Sequence, residues 1–288
     1  MVQEIVLIRS VAQLREQVRI KRMQGQRIGF VPTMGALHEG HLSLVRAAQA
    51  RSDFVIVSIF VNPRQFSPQE DLDSYPRTEK SDLAQLADCG VDLVYAPNAR
   101  EIYPAGFATS IQISGPALGL ESAQRPHFFG GVAIVVTKLL MQSQPDIAIF
   151  GEKDFQQYRV IERMARDLDI PVEILAAPTI RDTDGLALSS RNAYLTAPER
   201  LIAGRLNVIL RKSVQALEAG AIIDSELAST HSALTMAGFD GIDYVALRDE
   251  GDLSELPAGP VTRPGRLLAA VRVNGKRLID NFGVRAVG

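Results

Sequence analysis

The run Phe54-Val55-Ile56-Val57-Ser58-Ile59-Phe60 is apolar on both of its alternating faces. A strand of that kind must be covered from two sides, which is the condition of a parallel sheet with helices above and below it. The neighbouring sequence keeps the matching cadence. Ser10 with Gln13 makes a capping box before Val11, Leu14, Val18 and Met23, and Gly25 stops the helix. A strand at Ile28–Val31 and a helix from about Gly40 precede the apolar run. A helix near Thr78–Ala87 then leads through Gly90 to a strand at Asp92–Tyr95. Helices at Val132–Met141 and Phe155–Leu168 alternate with strands at Ile147–Phe150 and Val172–Leu175. Strand, helix, strand at this spacing predicts a parallel sheet with right-handed crossovers.

The texture changes near residue 180. Pro198 begins a helical pattern to about Glu218, and Asp224 is placed to cap another to about Met236. Ile242–Leu247, Leu267–Val273 and Lys276–Ile279 read as strands, and Asn274-Gly275 between the last two signals a type I′ hairpin. The expected organisation is a sheet domain over 1–179 and a smaller α+β lobe over 180–288. With 288 residues, two unequal domains suit the chain length. A net charge of −2 without a basic stripe argues against nucleic acid and anionic membranes as partners. Cys89 is the single cysteine, and the first residues lack the layout of a signal peptide, so a reducing cytoplasm is expected.

The richest chemistry lies in Pro32-Thr33-Met34-Gly35-Ala36-Leu37-His38-Glu39-Gly40-His41, at a strand-to-helix transition. Imidazoles at positions i and i+3 share one face of a first helical turn. A helix start offers unpaired N–H groups and partial positive charge, which suit phosphate. Histidine can donate to a phosphate oxygen as its charge grows during attack at the α-phosphorus. A metal pair, a satisfied core pair or surface residues are the plainer readings, and two histidines without a third ligand nearby make a poor zinc site.

Three further runs sit at the expected carboxyl ends of strands, where open α/β sheets bind ligands. Asn62 and Gln65, in Val61–Phe66, offer neutral hydrogen-bonding groups suited to a hydroxylated small molecule, or form a polar turn. In Gly151-Glu152-Lys153-Asp154, Lys153 can contact phosphate and Asp154 ribose hydroxyls, or Asp154 can cap a helix. Leu188-Ser189-Ser190-Arg191-Asn192 supplies two hydroxyls and a guanidinium fit for triphosphate, although such a tripeptide often arises by chance.

Together the runs PTMGALHEGH, FVNPRQF, SYPRT, FGEKDFQQ and DGLALSSRN resemble the pantoate–β-alanine ligase family, in the family's order and spacing over essentially the whole chain. That resemblance implies a Rossmann-like domain of the nucleotidylyltransferase type plus a C-terminal lid, usually as a homodimer. It implies condensation of pantoate with β-alanine at the expense of ATP through a pantoyl-adenylate, with release of pyrophosphate and AMP. By the same resemblance His38 and His41 stabilise adenylyl transfer together with Lys153 and Arg191. Met34, Asn62, Gln65 and Gln157 match the pantoate pocket. Met34, Gly40, Gly151, Lys153, Asp154, Ile180, Leu188, Ser189, Ser190 and Arg191 match the ATP site. Mg²⁺ is implied through the phosphates, with no protein metal site.

One segment departs from the family pattern. Where the family reads Arg-Pro-Gly-His-Phe-x-Gly-Val, this chain has Arg125-Pro126-His127-Phe128-Phe129-Gly130-Gly131-Val132. The imidazole is displaced by one residue, and a local backbone shift either restores its place or leaves that wall altered. Two other functions stay open on the residues alone. One is transfer of AMP to a phosphorylated acceptor, which needs further cations. The other is nucleotide binding without catalysis.

Overall fold

The computed structural model describes residues 5–67, 72–73 and 75–287. Six strands form one parallel sheet: Val6–Ile8 (β1), Ile28–Thr33 (β2), Phe54–Ile59 (β3), Leu93–Tyr95 (β4), Ile147–Gly151 (β5) and Glu173–Ala177 (β6). Their spatial order is β1-β4-β3-β2-β5-β6. The crossovers carry helices Val11–Met23 (α1), Glu39–Gln49 (α2), Glu79–Asp88 (α3), Phe128–Ser143 (α6) and Phe155–Asp167 (α7). Ala99–Ile102 (α4) and Glu121–Gln124 (α5) are single turns.

Both faces of the apolar strands are covered. Phe30, Ile56, Tyr95 and Phe150 pack toward α1, α6 and α7, with Leu14, Val132, Leu139, Val160 and Ile161. Val31, Val57, Val94 and Ile149 point the other way, onto Leu44, Val45 and Ala48 of α2 and Leu86 of α3. From β2 the chain winds outward through β3 and β4, whereas β5 and β6 lie on the opposite side of β2. Winding therefore reverses between β2 and β5. The crevice beyond the carboxyl ends of two such strands is where an open sheet receives its ligand.

A second, antiparallel sheet comprises Gly241–Asp249 (β7), Gly265–Val273 (β8) and Lys276–Val284 (β9). Helices Ala197–Ala203 (α8), Arg205–Glu218 (α9) and Ile223–Met236 (α10) accompany it around a separate core that includes Leu206, Leu210, Leu234, Leu267 and Val271. Asn274 and Gly275 both have positive φ, 49° and 75°, as a type I′ turn requires.

Three local expectations differ from the structure, and one strand was not expected. The predicted helix to Glu218 is two helices interrupted at Gly204, where a side chain would lie 2.9 Å from the Asp184 carboxylate. Asp224 does not cap α10. The helix starts at Ile223, whose N–H donates to the Gly259 carbonyl at 2.9 Å, and Asp224 lies within the first turn. The helix expected from Val132 starts one turn earlier, at Phe128. Strand β1, too short and too exposed to show a pattern, adds an edge beside β4.

Candidate active site

Beyond β2 and β5 opens a cleft of about 1060 Å³, closed on its far side by residues of β8 and β9. His38 and His41 stand at the start of α2. Nδ1 of His38 accepts from the Gly40 N–H at 3.1 Å, and Nδ1 of His41 accepts from the His38 N–H at 3.3 Å. The rings lie 4.2 Å apart. This reciprocal cap consumes both Nδ1 atoms as acceptors, so each ring carries its proton on Nε2 and keeps that donor for a ligand. Burial, with the Lys153 charge nearby, pulls the His38 pKa down to about 4. Burial, His38 and Lys153 pull that of His41 down to about 3. Both imidazoles are neutral donors at pH 7. A side chain at Gly40 would meet the His38 ring at 2.8 Å, so glycine is what lets that ring fold back over the helix end.

The loop leading into α2 is held from behind. Gly35 and Ala36 have φ of +80° and +50°. Their turn aims the N–H groups of Ala36 and Leu37 at the Asp82 carboxylate of α3, at 3.0 and 2.9 Å. From the opposite side Ser190 donates its hydroxyl to the Ala36 carbonyl at 3.1 Å. Ser189 caps the following 3₁₀ turn by accepting from the Arg191 N–H, and the Arg191 guanidinium lies 5.9 Å from the Tyr75 ring centre. Leu188 pairs its N–H with the Ile180 carbonyl, which brings both residues to the cleft wall.

The turn after β5 presents Lys153 and Asp154, whose charged groups are 4.0 Å apart. Asp154 occupies the N-cap position of α7 without capping it, so its half-exposed carboxylate stays available. The turn is gripped by the second lobe. Asn281 of β9 donates to the carbonyls of Glu152 and Lys153 at 3.0 and 2.9 Å, and Arg266 of β8 pairs with Glu152 at 3.2 Å.

Gln65 and Met34 are in contact, Nε2 to Sδ, at 3.1 Å, and Gln157 also lines the cleft. Asn62 lines the cleft beneath Gln65. It is 1% exposed, and its amide is spent on the Gly131 carbonyl, the Gln65 side chain, the Arg64 N–H and the Tyr103 hydroxyl. It holds Gln65 in place from beneath. His127 and Phe128 both line the cleft. His127 precedes α6 as an exposed residue, whereas Phe128 is buried under the Arg125 guanidinium at 3.8 Å. The wall at this point combines the His127 imidazole with the Phe128 and Phe129 rings and the Arg125 guanidinium.

Sequence reasoning missed a group of residues across the cleft rim. Glu121 of α5 accepts both terminal nitrogens of Arg277, from β9, at 2.6 and 2.9 Å, and the Tyr244 hydroxyl at 2.7 Å. Arg277 also reaches Asp243 at 2.6 Å. Burial opposes the Arg277 charge, but the two carboxylates outweigh it and raise its pKa. In sequence these residues look like a solvated surface, and only the docking of α5 against the second sheet joins Glu121 to Arg277 and Tyr244.

The geometry can be set beside known proteins. A sequence profile described as pantoate-beta-alanine ligase matches residues 6–283. The pantothenate synthetase of Caulobacter vibrioides is 54% identical over 280 residues, covering 97% of this chain and 98% of its own. The crystal structure of the pantothenate synthetase of Thermus thermophilus superposes with a TM-score of 0.90 at 43% identity, covering 98% of this chain and all of that one. A Francisella tularensis pantoate-beta-alanine ligase, solved with β,γ-ATP and β-alanine, gives 0.80 at 35% identity over 96% of this chain and 97% of its own. With its nearly full-length profile match, its two sheets and the cleft between them, the chain belongs to the pantoate–β-alanine ligase family.

Proposed function

We propose that the protein joins pantoate to β-alanine, forming pantothenate, AMP and pyrophosphate through a pantoyl-adenylate. The observation that carries this reading is the reciprocal His38–His41 cap, which leaves two neutral Nε2–H donors at a helix start on the cleft wall. The carboxylate of pantoate is already charged and attacks the α-phosphorus without a general base. The work left to the protein is positioning and neutralisation of charge. His38 and His41 donate to the phosphate oxygens, Lys153 and Arg191 oppose the triphosphate, Ser189 brings a hydroxyl to it, and Ser190 would do so on giving up its bond to the Ala36 carbonyl. Asp154 and the backbone at Gly151 receive the ribose, while Met34, Gly40, Ile180 and Leu188 wall in the nucleotide.

Gln65 and Gln157 hold pantoate against Met34, with Asn62 positioning Gln65. The neutrality of these amides favours a hydroxy acid over the phosphorylated acceptor of a transferase. Among the described residues no group of three or more His, Cys, Asp or Glu side chains is arranged to hold a metal ion. The donor set of the cleft instead suits ATP carried as its Mg²⁺ complex, the metal supplying charge neutralisation to the departing pyrophosphate.

We further propose that residues 180–288 act as a lid over 1–179, because Ser190 and Asn281 touch the two turns that face the phosphates from the other lobe. Closure would keep water from the reactive adenylate. The resemblance adds a homodimer and a cytoplasmic setting to this reading. No helix among the described residues is long and apolar enough to cross a membrane.

The deciding experiment is pyrophosphate release from ATP. Pantoate should be required for it, and β-alanine should be required for AMP and product. Pyrophosphate formed only with a phosphorylated acceptor would replace the ligase by the transferase. Hydrogen exchange with an ATP analogue should protect residues 180–195 together with the loop at 34–41; protection of the first lobe alone would remove the lid.

A further inference from the structure

Asp82 lies outside the cleft, on α3, and belongs to none of the motifs that face it. It is nonetheless 1% exposed, and its two carboxylate oxygens meet three donors: the Ala36 N–H at 3.0 Å, the Leu37 N–H at 2.9 Å and the Thr78 hydroxyl at 3.1–3.2 Å. The loop it holds is unusual. Two successive residues, Gly35 and Ala36, have positive φ, and the second is not a glycine. The turn points two consecutive N–H groups the same way, and each takes one oxygen of the Asp82 carboxylate. In this nest the anion is built in. A side chain at Gly35 would sit 3.0 Å from the Asp82 carboxylate, so the loop and the acid are in close contact.

The same turn ends at His38. Its Ala36 carbonyl receives Ser190, and its next residue starts the cap that orients both imidazoles. We propose that Asp82 is a positioning residue for adenylyl transfer. By filling the nest at Ala36 and Leu37 it fixes the backbone from which His38 and Ser190 are aimed. This rests on the proposal that His38 faces the reacting phosphate, and the wild-type protein tests that separately through pantoate-dependent pyrophosphate release.

An amide at position 82 has one acceptor oxygen where the nest needs two, so Asp82→Asn keeps the volume and releases one N–H. A displacement of the order of 1 Å costs about a hundredfold in rate. We therefore expect single-turnover adenylation by Asp82→Asn to be about 10- to 100-fold slower, with KM for pantoate within about twofold of wild type, because Gln65 and Gln157 are untouched. Thr78→Val removes the third donor without touching the loop and should give a smaller loss, about two- to fivefold, again in kcat alone.

Both variants are to be assayed per ATP site titrated by calorimetry, which removes any unfolded fraction from the rate. An unchanged adenylation rate per titrated site in Asp82→Asn would overturn the proposal. Equal rises in KM for pantoate in place of a kcat loss would do the same, as would a Thr78→Val effect larger than that of Asp82→Asn. Should Asp82→Asn not fold, Thr78→Val alone decides, and a rate equal to wild type refutes the role.

Discussion

Replacing Arg277 by methionine should measure how firmly the two sheets are joined across the cleft rim. The Glu121 and Arg277 side chains are 9% and 19% exposed, and the guanidinium makes two parallel bonds to the carboxylate. Breaking a buried pair by removing one partner costs about 3–5 kcal/mol, because the other charge stays in a poorly solvated place. Glu121 would keep the Tyr244 hydroxyl at 2.7 Å and the Arg125 guanidinium at 3.7 Å, which places the expected loss near the lower end, about 3 kcal/mol. Glu121→Gln should cost less, about 1–2 kcal/mol, since Arg277 would retain Asp243 at 2.6 Å. In the double variant neither charge is stranded, so the two losses should fail to add by about 1–2 kcal/mol. Urea unfolding followed by circular dichroism at pH 7.5, for wild type, both single variants and the double, gives the cycle. A loss under about 0.5 kcal/mol for Arg277→Met, or strictly additive losses, would mean that water screens the bridge as it screens surface pairs, and the reasoning from burial would fail.

Gln65→Ala should weaken pantoate by about 1–3 kcal/mol and leave ATP nearly unchanged in calorimetric titrations, because truncation strands a polar group of the acid alone; equal losses would place Gln65 elsewhere. His41→Ala and Lys153→Ala should each slow adenylation by about 10²–10³-fold in a folded protein, measured in single turnovers, and an unchanged rate would remove that residue from the mechanism. The histidine pair also sets a pH dependence. Its folded pKa values, about 4 and about 3, lie below the ordinary 6.5 of the unfolded chain. The stability tied to the neutral rings is therefore complete above pH 6.5. It is lost as pH falls from 6.5 through about 4 and about 3, with a slope approaching roughly 2–3 kcal/mol per pH unit above pH 4, where both protons count. Urea midpoints of wild type against His38→Gln/His41→Gln should diverge across that window, and parallel curves would contradict the neutral assignment.

Much of the sheet could be read because its signals are local. Phe54–Ile59 is apolar on both faces, and Asn274-Gly275 needs no partner to declare a hairpin. Boundaries failed where tertiary groups did the work of local ones, as at α10, whose first N–H is met by the Gly259 carbonyl and not by Asp224. The site divides in the same way. His38, Lys153 and Ser190 stand in short runs whose chemistry can be recognised in sequence. Asp82 and Glu121 look like ordinary helix carboxylates until folding buries them. Asn62 was legible as polar but not as buried, and its four partners come from as far as Gly131.

The grip of Asn281 on the turn at Glu152 and Lys153 also bears on when the protein becomes competent. The two partners are 128 residues apart in the chain. A ribosome adding about 5–20 residues per second needs roughly 6–25 s to cover that distance. During that interval β5 and the core around it can already assemble, yet the carbonyls of the phosphate-facing turn have only water to bind. The cradle is finished by a strand translated long after the sheet it serves. On the proposed chemistry, the turn that carries Lys153 would gain its backbone support only after β9 has been made.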